Sequence, residues 1–144
     1  MARYYDRVEV GDELAPLEKE ISRQAALDFC KVWAGPTGPA LGRFTDEAAA
    51  KKEGLAGPIL PGIMSMSLMA NFLDQWAEGG KVKKLDVVFR QPVVHPQTLR
   101  LVGVVTDKNQ TGGENQVECD VYLETPQGDR LVGGKATVLL PTQG

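Results

Sequence analysis

The sequence predicts an α+β fold, and three observations carry that prediction. Residues 61–80, "PGIMSMSLMANFLDQWAEGG", are apolar around nearly the whole circumference of a helix over their first turns. The chain after them switches to an alternation of apolar and polar residues at period two. Clusters of turn-forming residues then cut that alternation into separate strands.

Taken in order, residues 8–21 open with a Gly11-Asp12 turn and continue as an extended stretch bearing Leu14, Leu17 and Ile21. Ser22 is a good N-cap for a first helix, "SRQAALDFCKVWAG", with Ala26, Leu27, Cys30 and Val32 or Trp33 near one face and Gly35 as its stop. The loop "GPTGPALGRFTD", residues 35–46, follows, with Arg43 and Asp46 as its only ionisable side chains. Thr45 then caps a short helix, "TDEAAAKKEG". Asp46 and Glu47 lie at its positive end, Lys51 and Lys52 at its negative end, and Gly54 closes it.

The long helix of residues 61–80 carries Ile63, Met64, Met66, Leu68, Met69, Phe72, Leu73 and Trp76, and a helix apolar on all sides must be wrapped. Strands supply the wrapping. Leu85, Val87 and Phe89 alternate with Asp86 and Arg90, and Val117, Cys119, Val121 and Leu123 with Glu118, Asp120, Tyr122 and Glu124. A last strand over 130–140 buries Val132, Ala136 and Val138, with Gly133 and Gly134 admitting a neighbouring backbone. "HPQT" (95–98), "KNQTGGEN" (108–115) and "PQGD" (126–129) are the turns between strands. One extended stretch, helices, a long buried helix and four antiparallel strands make an antiparallel sheet curled around a central helix, the layout known as the hotdog fold.

A chain of 144 residues is expected to form one domain spanning 1–144. A net charge of -3, with 24% charged residues of both signs interspersed, gives no basic face for nucleic acid. Cys30 and Cys119 form neither a disulfide framework nor a metal spacing, and buried free thiols in a reducing compartment are expected. The charged N-terminus, "MARYYDRVEVGD", is unlike a secretion signal, and the uncharged run Gly54 to Phe72 is broken by Pro58, Pro61 and polar residues. A cytoplasmic protein, without a membrane span, is the expectation.

Three segments together resemble the MaoC-like dehydratase family, which includes the (R)-specific enoyl-CoA hydratases. "VEVGDELAPLEKEISRQAALDFCKVWAG" looks like that family's opening strand and first helix, and "FTDEAAAKKEGLAGPILPGIMSMSLMANFL" like its short and central helices. "VVFRQPVVHPQTLRLVGVV" looks like its "R-x-P-V-x-P-G-D-T-L" segment, departing from it at Pro96 and Gln97. The resemblance implies lyase chemistry on acyl thioesters of fatty acid or lipid metabolism. It implies no cofactor beyond coenzyme A as part of the ligand, and protomers that pair by joining their sheets.

In the family, the Asp and His of a "D-x-N-P-x-H" loop hold a water and add it across an enoyl thioester. Hydration needs a base for the water and an acid for the α-carbon. The ungapped alignment puts Pro39 at that Asp, Leu41 at the Asn and Phe44 at that His. Neither Pro39 nor Phe44 can exchange a proton. Gly62 matches the position whose backbone N–H polarises the thioester carbonyl, a task suited to a helix N-terminus, and close packing after Pro61 is the alternative reading.

Asp46 and Glu47 are possible substitute carboxylates but read first as helix-start acids. His95, the sole histidine, reads as a solvated turn residue before it reads as a replacement base. Arg43, Lys51 and Lys52 are surface charges or phosphate contacts. Met64, Met66 and Met69 are core, with the alternative of an adaptable acyl-tunnel lining. Cys30 reads as structural.

The leading expectation is a subunit with a degenerate active site, binding or shaping an acyl-CoA site while paired with itself or with a catalytic hotdog paralogue. An active hydratase using Asp46, Glu47 or His95 is the second reading. An interaction module for a lipid-pathway enzyme, its tunnel filled by Phe44 and Leu41, is the third.

Overall fold

A computed structural model describes residues 2–35 and 42–144. Strand β1 (Glu13–Ile21) leads into helix α1 (Arg23–Ala34). A short helical turn, Gly42–Phe44, precedes α2 (Glu47–Lys52) and the central helix α3 (Gly62–Trp76). Strands β2 (Lys81–Phe89), β3 (Gln97–Thr111), β4 (Glu114–Glu124) and β5 (Arg130–Leu139) complete one five-stranded antiparallel sheet, ordered β1-β3-β4-β5-β2. This is the predicted α+β hotdog layout. Pro16 falls at the irregularity between Leu14 and Leu17 on edge strand β1, where a missing N–H costs the ladder least.

The inward residues follow the alternation. Val117, Cys119, Val121 and Leu123 of β4 and Val132, Ala136 and Val138 of β5 are all buried, as are Leu99, Leu101 and Val105 of β3. They pack against Met69, Phe72, Leu73 and Trp76 of α3. Gly134 lets β2 and α3 approach, because a Cβ there would lie 3.1 Å from the Asp86 carbonyl and 3.2 Å from Met69 Cε. Cys30 and Cys119 are free and buried.

Four expectations need correction. The central helix is not wrapped all round: Ile63 is half exposed and Met66 and Leu68 only partly buried, so the sheet covers one side and leaves the other open. On α1, Ala26 and Cys30 are buried, but Val32 and Trp33 are exposed and belong to no core face. The cap of α2 is Asp46, whose Oδ1 accepts from the Ala48 N–H at 3.1 Å, and not Thr45. The turn in "KNQTGGEN" is also tighter than its length suggests. β3 runs on to Thr111 and β4 begins at Glu114, so Gly112 and Gly113, both at positive φ, make a two-residue hairpin that pairs the flanking polar residues.

Candidate functional site

A cavity of about 380 Å³ opens where the N-terminus of α3 meets the end of β2. Arg43 and Phe44 form one side, Ile59 and Leu60 another, and Phe89 to Val93 a third, with Gly62 and Ser65 of α3 at the helix end. Its ionisable lining residues, among those described, are Arg43 and Arg90. A hollow of similar size near Gly79–Lys81 is an open depression beside the β3–β4 hairpin, and none of the candidate site residues lines it.

Short polar ties position the walls. The Ile59 N–H donates to the Arg43 carbonyl at 3.0 Å, and the Leu60 N–H to that of Val93 at 2.8 Å. The His95 N–H donates to the Pro58 carbonyl at 2.9 Å, and an isolated bridge joins Ile59 to Val94. The three segments 43–44, 58–60 and 93–95 therefore form a small lattice outside the main sheet. Phe44 stacks edge-on against Trp33, with centroids 5.7 Å apart, and the Arg43 guanidinium lies 5.0 Å from the Phe44 ring centre. Arg43 also pairs with Glu53 at 3.1 Å.

At the helix end, α3 has no side-chain cap, because Pro61 occupies the N-cap position. The Met64 N–H donates to the Pro61 carbonyl at 2.9 Å, and the amides ahead of it, those of Gly62 and Ile63, have no acceptor within the helix and carry partial positive charge. The Phe89 ring lies against Gly62. A Cβ at residue 62 would sit 2.9 Å from Phe89 Cζ, so the glycine is required for that ring to approach. In the sequence Gly62 reads either as a carbonyl polariser or as a close-packing position; the packing partner is Phe89, which in the sequence continues the alternating strand face. Phe89 is half exposed instead, at the last position of the edge strand.

The structure brings Phe44, Gly62 and Arg43 together around the cavity, sets His95 against the Phe44 carbonyl, and places the other described candidates elsewhere. Met64 is buried in the core beside the cavity and does not line it. Asp46 is occupied as the α2 cap, and Glu47 pairs with Lys51 at 3.3 Å on an exposed face. Pro39 and Leu41 lie outside the described residues. His95 corrects the sequence reading most sharply: it is 1% exposed, not solvated, and its Nε2 lies 2.9 Å from the Phe44 carbonyl. Ser65, Ile59 and Val93, which line the cavity, were missed because nothing in their spacing distinguishes a lining residue from a core one. Cys30 is not activated either, since burial holds its thiol above the ordinary value.

A hotdog sheet with an apolar cavity at the open end of its central helix defines the class. Residues 44–126 match the family model described as MaoC like domain, and the chain belongs to that family of hydratases and dehydratases. No curated protein matches the chain. Among solved structures it is similar to the (R)-hydratase from A. caviae involved in PHA biosynthesis, at 23% identity and a TM-score of 0.78, covering 93% of this chain and 98% of that one. It is similar to the MaoC-like dehydratase from Rhodospirillum rubrum at 17% identity and 0.82, covering 99% of each. A chain of the ChsH1-ChsH2 complex from Mycobacterium tuberculosis matches at 16% and 0.77, covering 92% and 98%. These likenesses show the fold. Among the described residues, no helix is long and apolar enough to cross a membrane.

Proposed function

We propose that this chain is a MaoC-like hotdog subunit that binds an acyl thioester in the cavity at Gly62 without transforming it, and that pairs with another hotdog subunit. One observation carries the reading: among the described residues the lining offers arginines, Ser65, Gln91 and aromatic and aliphatic side chains, and no imidazole or carboxylate, at the place where the family resemblance calls for a proton-transfer pair. General acid and base groups each contribute roughly 10²- to 10⁴-fold, so a site built this way holds its ligand better than it converts it. The carboxylates that could substitute are engaged elsewhere, Asp46 as a cap and Glu47 in a surface ion pair.

Pairing is supported from the open side of the fold. Strand β2 is an edge, and Val88, Phe89 and Ile63 leave apolar surface exposed close to the cavity. Unpaired backbone and apolar side chains at an edge invite a further strand. The likeness to a chain of a two-component complex agrees with pairing to a different subunit.

The test is to assay the purified chain alone for crotonyl-CoA hydration while following its thermal stability with added acyl-CoA. The reading expects no turnover and a stability gain that reaches about 2.7 kcal/mol at 100 times Kd. Hydration at an ordinary enzyme rate would overturn the non-catalytic assignment. Absence of any shift would overturn ligand binding.

A further inference from the structure

His95 is the least explained residue of the interior. Its ring is buried, its Nε2 bonds to the Phe44 carbonyl, and its buried Nδ1 has no hydrogen-bond partner among the described residues. A carbonyl oxygen only accepts, so Nε2 must carry the proton and Nδ1 is left as an idle acceptor. A leucine or phenylalanine would fill the same space without an orphaned polar atom, and buried polar groups are normally satisfied. The Nε2–H bond is what a histidine adds here.

That bond has a specific object. The carbonyls of Arg43 and Phe44 are consecutive; the first is held by the Ile59 backbone and the second by the His95 side chain. His95 is itself anchored through its backbone N–H to Pro58. Among the described residues the imidazole is thus the one side-chain hydrogen bond joining these segments, and it ends on the residue whose ring lines the cavity and stacks on Trp33. We propose that His95 is the positioning residue of this site: by donating Nε2–H to the Phe44 carbonyl it fixes the orientation of the Phe44 wall. Only the ligand arm of the test below rests on the proposed acyl-thioester binding.

Because the chain has a single histidine, nitrogen-labelled histidine gives one set of ring signals in the intact protein. The proposal expects the Nε2–H tautomer; an Nδ1–H tautomer would overturn it. Fluorotryptophan labelling then gives one signal for Trp33, which touches Phe44, and one for Trp76, which stacks under Arg3 in the core. His95→Phe should move the Trp33 signal and leave that of Trp76 in place, and His95→Gln, which keeps a donor, should restore it. Movement of both signals together, or failure of Gln to restore, would reduce His95 to a core residue and overturn the proposal. Should His95→Phe not fold, His95→Gln and the tautomer still decide.

In the ligand arm, His95→Phe should weaken crotonyl-CoA binding by ~5-fold, about the worth of one net hydrogen bond, with Gln near wild type. Equal affinity in all three would overturn the link from wall to ligand. No binding by the wild type would count against the proposed function and leave the tautomer and Trp33 results to judge His95.

Discussion

The inner face of the sheet and the rim of the cavity are built on different principles. In β4, Val117, Cys119, Val121 and Leu123 are each no more than 1% exposed, and the strand is hydrogen-bonded along both sides, to β3 and to β5. Every contact there is backed by several others. At the rim, Ile63 and Phe89 are half exposed, and the Phe44 segment is held by single bonds from Ile59 and His95. Stability resides in the first region and the shape of the site in the second, so substitutions can separate them.

The largest effect is expected in the sheet. Leu123→Ala should lose about 2–5 kcal/mol in denaturant unfolding, the range for a fully buried leucine, while the folded fraction binds ligand as before. A parallel loss of affinity would show that the two regions are coupled. Gly134→Ala should cost about 1–3 kcal/mol, because the new methyl meets the Asp86 carbonyl and the Met69 side chain and only the latter can give way. At the rim the balance reverses. Phe89→Ala should change stability by less than about 1 kcal/mol, since half the ring is already in water, yet it uncovers Gly62 and should tighten or broaden acyl-CoA binding in calorimetry.

Smaller effects test individual assignments. Asp46→Ala should cost about 1 kcal/mol and Thr45→Ala less than about 0.5, which distinguishes the true cap from its neighbour. Burial, with Glu118 and Asp120 alongside, raises the Cys119 thiol from its ordinary 9.0 to about 12. Below pH 9 folded and unfolded chains both hold that proton, so its contribution is complete there. Above pH 9 the unfolded thiol ionises first, and stability declines as the pH climbs toward 12. Cys119→Ala should flatten that alkaline decline, and neither cysteine should react with a thiol reagent before unfolding.

The same contrast explains what the sequence disclosed. The sheet was legible because burial on one face imposes period two, and Val117 to Leu123 obey it without exception. The Ser22 cap was legible because its side chain serves a local amide, that of Ala25 at 3.0 Å. Thr45 and Asp46 are both capping types in adjacent positions, so only geometry separates them. Phe89 continues the alternation in sequence and escapes burial because the sheet ends at β2 and α3 passes it at Gly62. His95 was unreadable for a different reason: its partner, the Phe44 carbonyl, is 51 residues away and is a backbone atom, which no side-chain pattern announces.

The central claim is that the cavity holds an acyl thioester and leaves it unchanged. Isotope-labelled crotonyl-CoA followed by NMR in the presence of the purified chain reads both halves at once. The account predicts ligand signals broadened by binding, with no 3-hydroxyacyl product accumulating over the uncatalysed background. Sharp, unperturbed signals would contradict the binding, and steady conversion to the hydroxyacyl thioester would contradict the loss of catalysis.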